Sequence, residues 1–209
     1  MELVDTRHHG NGSVWIQEYR HKKSSKFLTW HDNGHPETQE FRINGAREGE
    51  WKLWSANGQL RVQEFYKNGE REGEYKSWYY EGQLQEQASY KSGSCEGERR
   101  VWYKNGQLQT LEFYRDGKLN GECKIWYNGG HPWIQDFYRN GKLEGERKVW
   151  FADGSIKSHN YYQNGKISER EFSLEKKRVM LRVKIFLRKR SLEVADKINM
   201  ISDLVKMVC

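Results

Sequence analysis

The sequence predicts a mostly β protein, an elongated single-layer antiparallel meander of stacked β-hairpins with a C-terminal α-helical cap. Three observations predict it. Trp30, Trp54, Trp78, Trp102, Trp126 and Trp150 recur every 24 residues, and Gly49, Gly73, Gly97, Gly121 and Gly145 keep the same step. Two further glycine series, from Gly34 to Gly154 and from Gly45 to Gly165, share the period and alternate 11 and 13 residues apart. Turns this close leave room for strands of about 6–9 residues and for no helix. Several registers with one fixed period mark a repeat protein in which each copy is one supersecondary unit.

Composition agrees. Only 35% of the chain is hydrophobic, while 14% is aromatic, with nine Trp and twelve Tyr. Such a chain packs aromatic rows between neighbouring copies rather than a deep aliphatic core. The net charge is +7 and unevenly placed. Residues 171–209 hold ten Lys/Arg against five Asp/Glu, so most of the basic character belongs to the tail.

Taken in order, residues 1–12 read as a polar N-terminal arm or first turn around His8-His9-Gly10-Asn11-Gly12. Residues 13–174 carry the repeats. Trp15-Ile16-Gln17-Glu18-Tyr19 matches Trp133-Ile134-Gln135-Asp136-Phe137, so a copy is already present there. It lacks the expected Asn-Gly turn; His21-Lys22-Lys23-Ser24-Ser25 replaces it with two residues fewer, as terminal repeats are atypical. Asn57-Gly58, Asn68-Gly69, Asn105-Gly106, Asp116-Gly117, Asn140-Gly141, Asp153-Gly154 and Asn164-Gly165 fit type I′ turns, whose two central residues need positive φ. The 13-residue arms contain a Glu-Gly-Glu element, as in Glu144-Gly145-Glu146, and a glycine inside a strand marks a bulge or bend. Stacked copies then place Trp over Trp, Tyr over Tyr and the Gln-Leu leucines over each other. These rows are expected to stabilise neighbouring copies by about 0.2–1 kcal/mol per pair. With about 14 strands the ribbon spans roughly 60 Å.

The pattern breaks after Gly165: Glu169 stands where the next strand glycine belongs and Leu174 where the next Trp belongs. Residues 175–209 form the expected basic cap. Ser191 is an N-cap candidate, and Val194, Ile198, Ile201, Val205 and Val208 fall at helical spacing. Residues 175–190 fit two readings. Val179, Leu181, Val183, Ile185 and Leu187 alternate as in a strand, but length, absent turn residues and richness in Lys, Arg, Leu and Glu favour helix. A helical hairpin there would cover the last strand, since a bare sheet edge templates aggregation. Removing residues 175–209 is then expected to expose the sheet edge and cause aggregation or rearrangement of a dimer.

The repeats resemble the MORN family in its variant form, in motifs such as Tyr66-Lys67-Asn68-Gly69-Glu70-Arg71-Glu72-Gly73-Glu74-Tyr75 and Trp78-Tyr79-Tyr80-Glu81-Gly82-Gln83-Leu84. The resemblance covers about residues 10–170. It implies a rod or groove of stacked hairpins acting as an interaction scaffold for a protein partner. It further implies a homodimer or a membrane association in some members, and a bacterial or large-DNA-virus source, with the tail helices favouring a viral protein.

Little else carries chemistry. His31 and His35 flank Asp32-Asn33-Gly34 and read as exposed turn residues, because a metal site needs convergent ligands. Cys95, Cys123 and Cys209 are odd in number and form no Cys-x-x-Cys pair, which favours a reducing compartment over a disulfide framework. No Ser/His/Asp set, phosphate-binding loop or paired-carboxylate motif stands outside the repeats. The reading is therefore non-enzymatic, without a cofactor or metal. Stacking of bases on the aromatic rows is the sharper alternative to a purely structural ladder, but the nearly neutral repeat body suits a phosphate backbone poorly. The strongest charged candidates are Lys176-Lys177-Arg178 and Arg188-Lys189-Arg190, read as the solvated face of a capping helix or as an import signal, nucleic-acid contact or anionic-membrane patch. The N-terminus shows no signal-peptide core, and the run Val179–Leu187 is too short and charged to span a bilayer. An intracellular location follows as the expectation, in cytoplasm or a host-cell nucleus.

Overall fold

The computed structural model of the protein describes residues 1–168 together with 188 and 189. The strands, in chain order, are β1 (Glu2–His8), β2 (Val14–His21), β3 (Ser24–Trp30), β4 (Pro36–Ile43), β5 (Ala46–Arg47), β6 (Gly49–Trp54), β7 (Leu60–Lys67), β8 (Glu70–Trp78), β9 (Leu84–Lys91) and β10 (Ser94–Cys95). They continue as β11 (Gly97–Trp102), β12 (Leu108–Arg115), β13 (Lys118–Leu119), β14 (Gly121–Trp126), β15 (Pro132–Arg139), β16 (Lys142–Leu143), β17 (Gly145–Trp150), β18 (Ile156–Gln163) and β19 (Lys166–Ile167). All belong to one antiparallel sheet in which each arm pairs with the next, an open meander. The body of the repeats forms one unit, Met1–Lys166. The helical cap over 175–209 falls outside the described residues, except that Arg188 and Lys189 are helical and exposed. Among the described residues no helix is long and apolar enough to cross a membrane.

Residues 2–8, expected to be a loose arm, form a full strand. His8 pairs with Val14 across the same register shift that Trp30 makes with Pro36, so β1 is a rung of the ladder with His in the Trp position. The missing Trp hid it. The chain reversal after β2 is a two-residue turn with Lys22 at φ 52°, and β2 pairs with β3 without any shift. The two residues this copy lacks are therefore those of the strand glycine's bulge.

That bulge is regular elsewhere. Arg47 and Lys52 lie five residues apart, yet their partners Arg42 and Gln39 lie three apart. The surplus of two residues converts an 11-residue arm to 13. Each residue of Glu-Gly-Glu has a task. The first glutamate reaches the next copy's turn: Glu48, Glu72, Glu96 and Glu144 accept hydrogen bonds from the backbone N–H of Asn68, Ser92, Asp116 and Asn164 at 2.7–2.8 Å. The glycine takes a positive φ, from 74° at Gly49 to 131° at Gly121, and stands across from a tyrosine, as Gly49 from Tyr66 and Gly121 from Tyr138. An aromatic opposite a strand glycine covers backbone that the glycine leaves bare. The second glutamate joins the side-chain network described below.

The Asn-Gly and Asp-Gly dipeptides serve two different turns. Asn68-Gly69, Asp116-Gly117, Asn140-Gly141 and Asn164-Gly165 have both residues at positive φ, the type I′ geometry. At Asn57-Gly58, Asn105-Gly106 and Asp153-Gly154 only the glycine does. There Gly58 N–H bonds Ser55 O and Ser55 N–H bonds Gln59 O, a type I turn closed by a glycine bulge. The Asn57 side chain meanwhile accepts from Gln59 N–H at 3.1 Å. The dipeptide alone does not separate the two, because Asn tolerates either backbone.

Like-with-like rows do not make contact. Equivalent residues of successive copies are two strands apart, about 10 Å, beyond the roughly 4.5–7 Å at which rings interact. Among the described residues no ring contact joins two of the repeating tryptophans. The contacts found run between different columns, as in Tyr75–Tyr90 at 6.0 Å on adjacent strands and Tyr127–Trp133 at 5.4 Å across the turn between β14 and β15. Hydrogen bonds bind the copies instead. In three copies the tyrosine after the Trp reaches the Trp carbonyl of the next copy: Tyr79 Oη donates to Trp102 at 2.8 Å, Tyr103 to Trp126 at 2.7 Å and Tyr127 to Trp150 at 3.0 Å. His9 and His31 do the same through Nε2 to Trp30 and Trp54, both at 2.9 Å. These two histidines are thus half-buried rungs, not exposed turn residues.

Candidate binding faces

Strand alternation sorts the side chains onto two faces with different chemistry. One, the Lys face, carries the glutamate after each strand glycine with a cation two residues on, a lysine in four copies and Arg100 beside Glu98 in the fifth. Glu50, Glu74, Glu122 and Glu146 pair with Lys52, Lys76, Lys124 and Lys148 at 2.7–2.8 Å. Across the strand pair, Gln63, Gln87 and Gln135 donate to Glu50, Glu74 and Glu122. Burial pushes the Glu50 and Glu146 carboxyls up, but the lysine and the cross-strand donor outweigh it and both lie below the ordinary value. Their ionised forms therefore stabilise the fold above the ordinary carboxyl range, and this is lost as pH falls.

The other, the Arg face, is the more enclosed. Among the described residues, every one that is nearly inaccessible lies on it: Glu64, Ser77, Ala88, Cys123 and Asp136, only two of them apolar. An acidic row runs along it through Glu18, Glu40, Glu64, Glu112 and Asp136, interrupted by Ala88. Arginine, not lysine, answers it: Arg20 with Glu18, Arg42 and Arg47 with Glu40, Arg71 with Glu64, Arg99 with Glu112 and Arg147 with Asp136. A tyrosine row lies beside it, with Tyr66 donating to Glu64 at 2.6 Å and Tyr114 to Glu112 at 3.1 Å. Arginine suits this site because its planar fork meets a carboxylate and stacks on rings at once. Arg47 lies 5.1 Å from the Tyr66 ring and 5.5 Å from Trp51, and Arg71 lies 5.2 Å from Tyr90.

The midpoint departs from the pattern. Where the acidic row has Ala88, the carboxylate appears at Glu86, and Arg99 replaces the aromatic seen at Trp51 and Tyr75 in its column. Arg99 then bridges Glu86 at 2.7 Å and Glu112 at 2.6 Å. The Arg47–Arg71 column continues as Cys95, Leu119 and Leu143, so this column turns from cationic to aliphatic along its length.

Burial dominates at Asp136. It pushes the carboxyl above its ordinary value, against the opposing pull of Arg147 at 3.5 Å and the Tyr138 hydroxyl. A carboxyl that binds its proton more tightly when folded favours the folded state at low pH and costs stability as pH rises through the raised value. Asp136→Asn, the residue the next copy carries as Asn160, is therefore expected to raise the melting temperature at pH 7. The gain should vanish near pH 3, and scanning calorimetry at both pH values checks this. A variant equally or less stable than the parent at pH 7 would contradict the burial argument. Burial likewise pushes the Cys123 thiol up to about 12, which keeps it a packed, unreactive group.

Trp30, Trp54, Trp78, Trp102, Trp126 and Trp150 each end a strand and are half-buried. Gly49, Gly73, Gly97, Gly121 and Gly145 are the bulge residues. Arg188 and Lys189 are exposed, and Lys176, Lys177, Arg178 and Arg190 lie outside the described residues. Among the described residues no group of three or more His, Cys, Asp or Glu is placed to hold a metal. Reading the sequence by aromatic and glycine landmarks missed the arginine–carboxylate rows. Their signal was present as Glu40, Glu64, Glu112 and Asp136 at repeat spacing, but a recurring glutamate reads as solvated until one knows which face closes.

Four stretches of the chain, residues 47–68, 71–92, 96–116 and 143–164, match the sequence profile of the MORN repeat variant. Each begins in a Glu-Gly-Glu arm or close to one and ends at the following type I′ turn. No curated protein sequence matches the chain.

Proposed function

We propose that this chain, a MORN-repeat protein of the variant kind, is a non-enzymatic scaffold that presents one face of its sheet to a protein partner. Repeats of this kind are in general protein or membrane-lipid interaction modules of a non-catalytic type. The observation that supports the finer reading is the single layer. Among the described residues no second layer covers either face, and only Ala88 and Cys123 are buried apolar residues. A domain that buries so little of itself keeps two extended, rigid surfaces for contact. Both are patterned with ion pairs and aromatics rather than with a convergent polar pocket.

The test is photocrosslinking with the full chain, carrying a benzophenone side chain at Val62 on the Arg face or at Gln63 on the Lys face, in lysate with and without nuclease. A discrete protein adduct from one position and not the other is the expected result. No protein adduct from either position would sink the scaffold reading. Capture that vanishes with nuclease, or on neutralising Lys176, Lys177, Arg178, Arg188, Lys189 and Arg190, would replace it with binding of an anionic surface.

A further inference from the structure

We propose, resting on the scaffold reading, that the Arg face between β2 and β9 is a docking surface for an acidic, extended peptide segment with a carboxylate at every third residue. On this half of the face the positive charge lies outermost. Side-chain exposures are 63% for Arg20, 38% for Arg42 and Arg47 and 42% for Arg71, against 12% for Glu18 and Glu40 and 5% for Glu64. A ligand approaching this half of the face meets guanidinium groups; the carboxylates that balance them lie beneath. On the Lys face the two signs are equally shown, 26% for Lys52 against 28% for Glu50, so that face presents no preferred charge.

The arginines are held before any ligand arrives. Arg47 donates to Glu40 and to the Tyr66 hydroxyl while stacking on two rings, and Arg42 lies 5.3 Å from the Phe27 ring. Groups already immobilised cost little to order on binding. Arg47 and Arg71 are equivalent positions of adjacent copies, two strands or about 10 Å apart. A polyproline II segment advances about 9 Å in the three residues of one turn, so every third side chain falls on one side at nearly that interval. A chain with two-residue periodicity would present carboxylates about 7 Å apart and fall out of step. The surface ends where the column becomes Cys95, Leu119 and Leu143.

The experiment uses the full chain and a fluorescent peptide of six Glu-Pro-Pro units, read by anisotropy, with a peptide of the same composition but clustered glutamates as comparison. Binding at least fivefold tighter for the regular peptide is expected, with at least a fivefold loss in Arg47→Gln/Arg71→Gln and no change in Lys52→Gln/Lys76→Gln. Should the glutamine pair fail to fold, Arg47→Lys/Arg71→Lys keeps charge over Glu40 and Glu64 and should still lose at least threefold, because the ammonium neither forks nor stacks. No binding of the regular peptide, equal affinity for the clustered one, or equal loss from the Lys-face pair overturns the proposal. Preferential binding of single-stranded oligothymidylate at the same arginines reassigns the surface to nucleic acid. A protein adduct at position 62 or 63 without peptide binding removes this inference and leaves the scaffold; peptide binding without any protein adduct does the reverse.

Discussion

Gly121→Ala is expected to destabilise the sheet by about 2–4 kcal/mol, and Gly97→Ala, at the same position one copy earlier, by about 1 kcal/mol. The two glycines differ in backbone and in space. Gly121 sits at φ 131°, and a Cβ built there would lie 3.1 Å from the Phe113 Cβ. Gly97 sits at φ 79°, with no atom within 4 Å of the added methyl. At Gly97 the cost is that of a left-handed backbone for an L-residue, about 1–2 kcal/mol at most. At Gly121 a region almost closed to side chains combines with a clash against β12, and overpacking of this kind adds roughly 1–3 kcal/mol. Urea titration of both variants against the parent checks it. Because repeat arrays need not unfold in one step, the transition should be followed by two probes, tryptophan fluorescence and circular dichroism. Equal effects at the two positions would mean that the local crowding at Gly121 is relieved by movement of Phe113.

Arg99→Leu carries the second large effect, about 2 kcal/mol of lost stability. Arg99 is the single cation between Glu86 and Glu112, and the three side chains are 28%, 21% and 15% exposed. Removing one partner of a fully buried pair costs about 3–5 kcal/mol, because a charge is left without compensation; an exposed pair costs about 0–1. Partial exposure places this bridge between those limits. Burial works against the Arg99 charge, but its two glutamates outweigh that and hold its pKa above the ordinary value. Arg99→Lys should recover about half of the loss, since one ammonium cannot present parallel donors to two carboxylates. Arg100→Leu, next in sequence but 47% exposed and, among the described residues, paired with Glu98 alone, is expected to cost under about 1 kcal/mol. A loss at Arg100 as large as that at Arg99 would show that general charge balance, not the bridge, matters in this copy.

The sequence by itself determined the repeat, its 24-residue period, the antiparallel meander and the bulge at each Glu-Gly-Glu. These follow from local backbone chemistry: glycine and asparagine at fixed spacing prescribe where the chain can turn, and two strands per period is what remains. It did not reveal β1, because His8 occupies the tryptophan position and landmark residues were the only guide. It left open which Asn-Gly makes which turn, since the dipeptide suits both and pairing of the flanking strands selects one. Above all, it could not say that Glu40, Glu64, Glu112 and Asp136 lie under arginines while Glu50 and Glu74 lie beside lysines. Alternation assigns both groups to opposite faces but is silent on which face is enclosed. Only the tertiary structure decides that, because enclosure depends on the side chains that adjacent copies place around each carboxylate, which no single copy supplies.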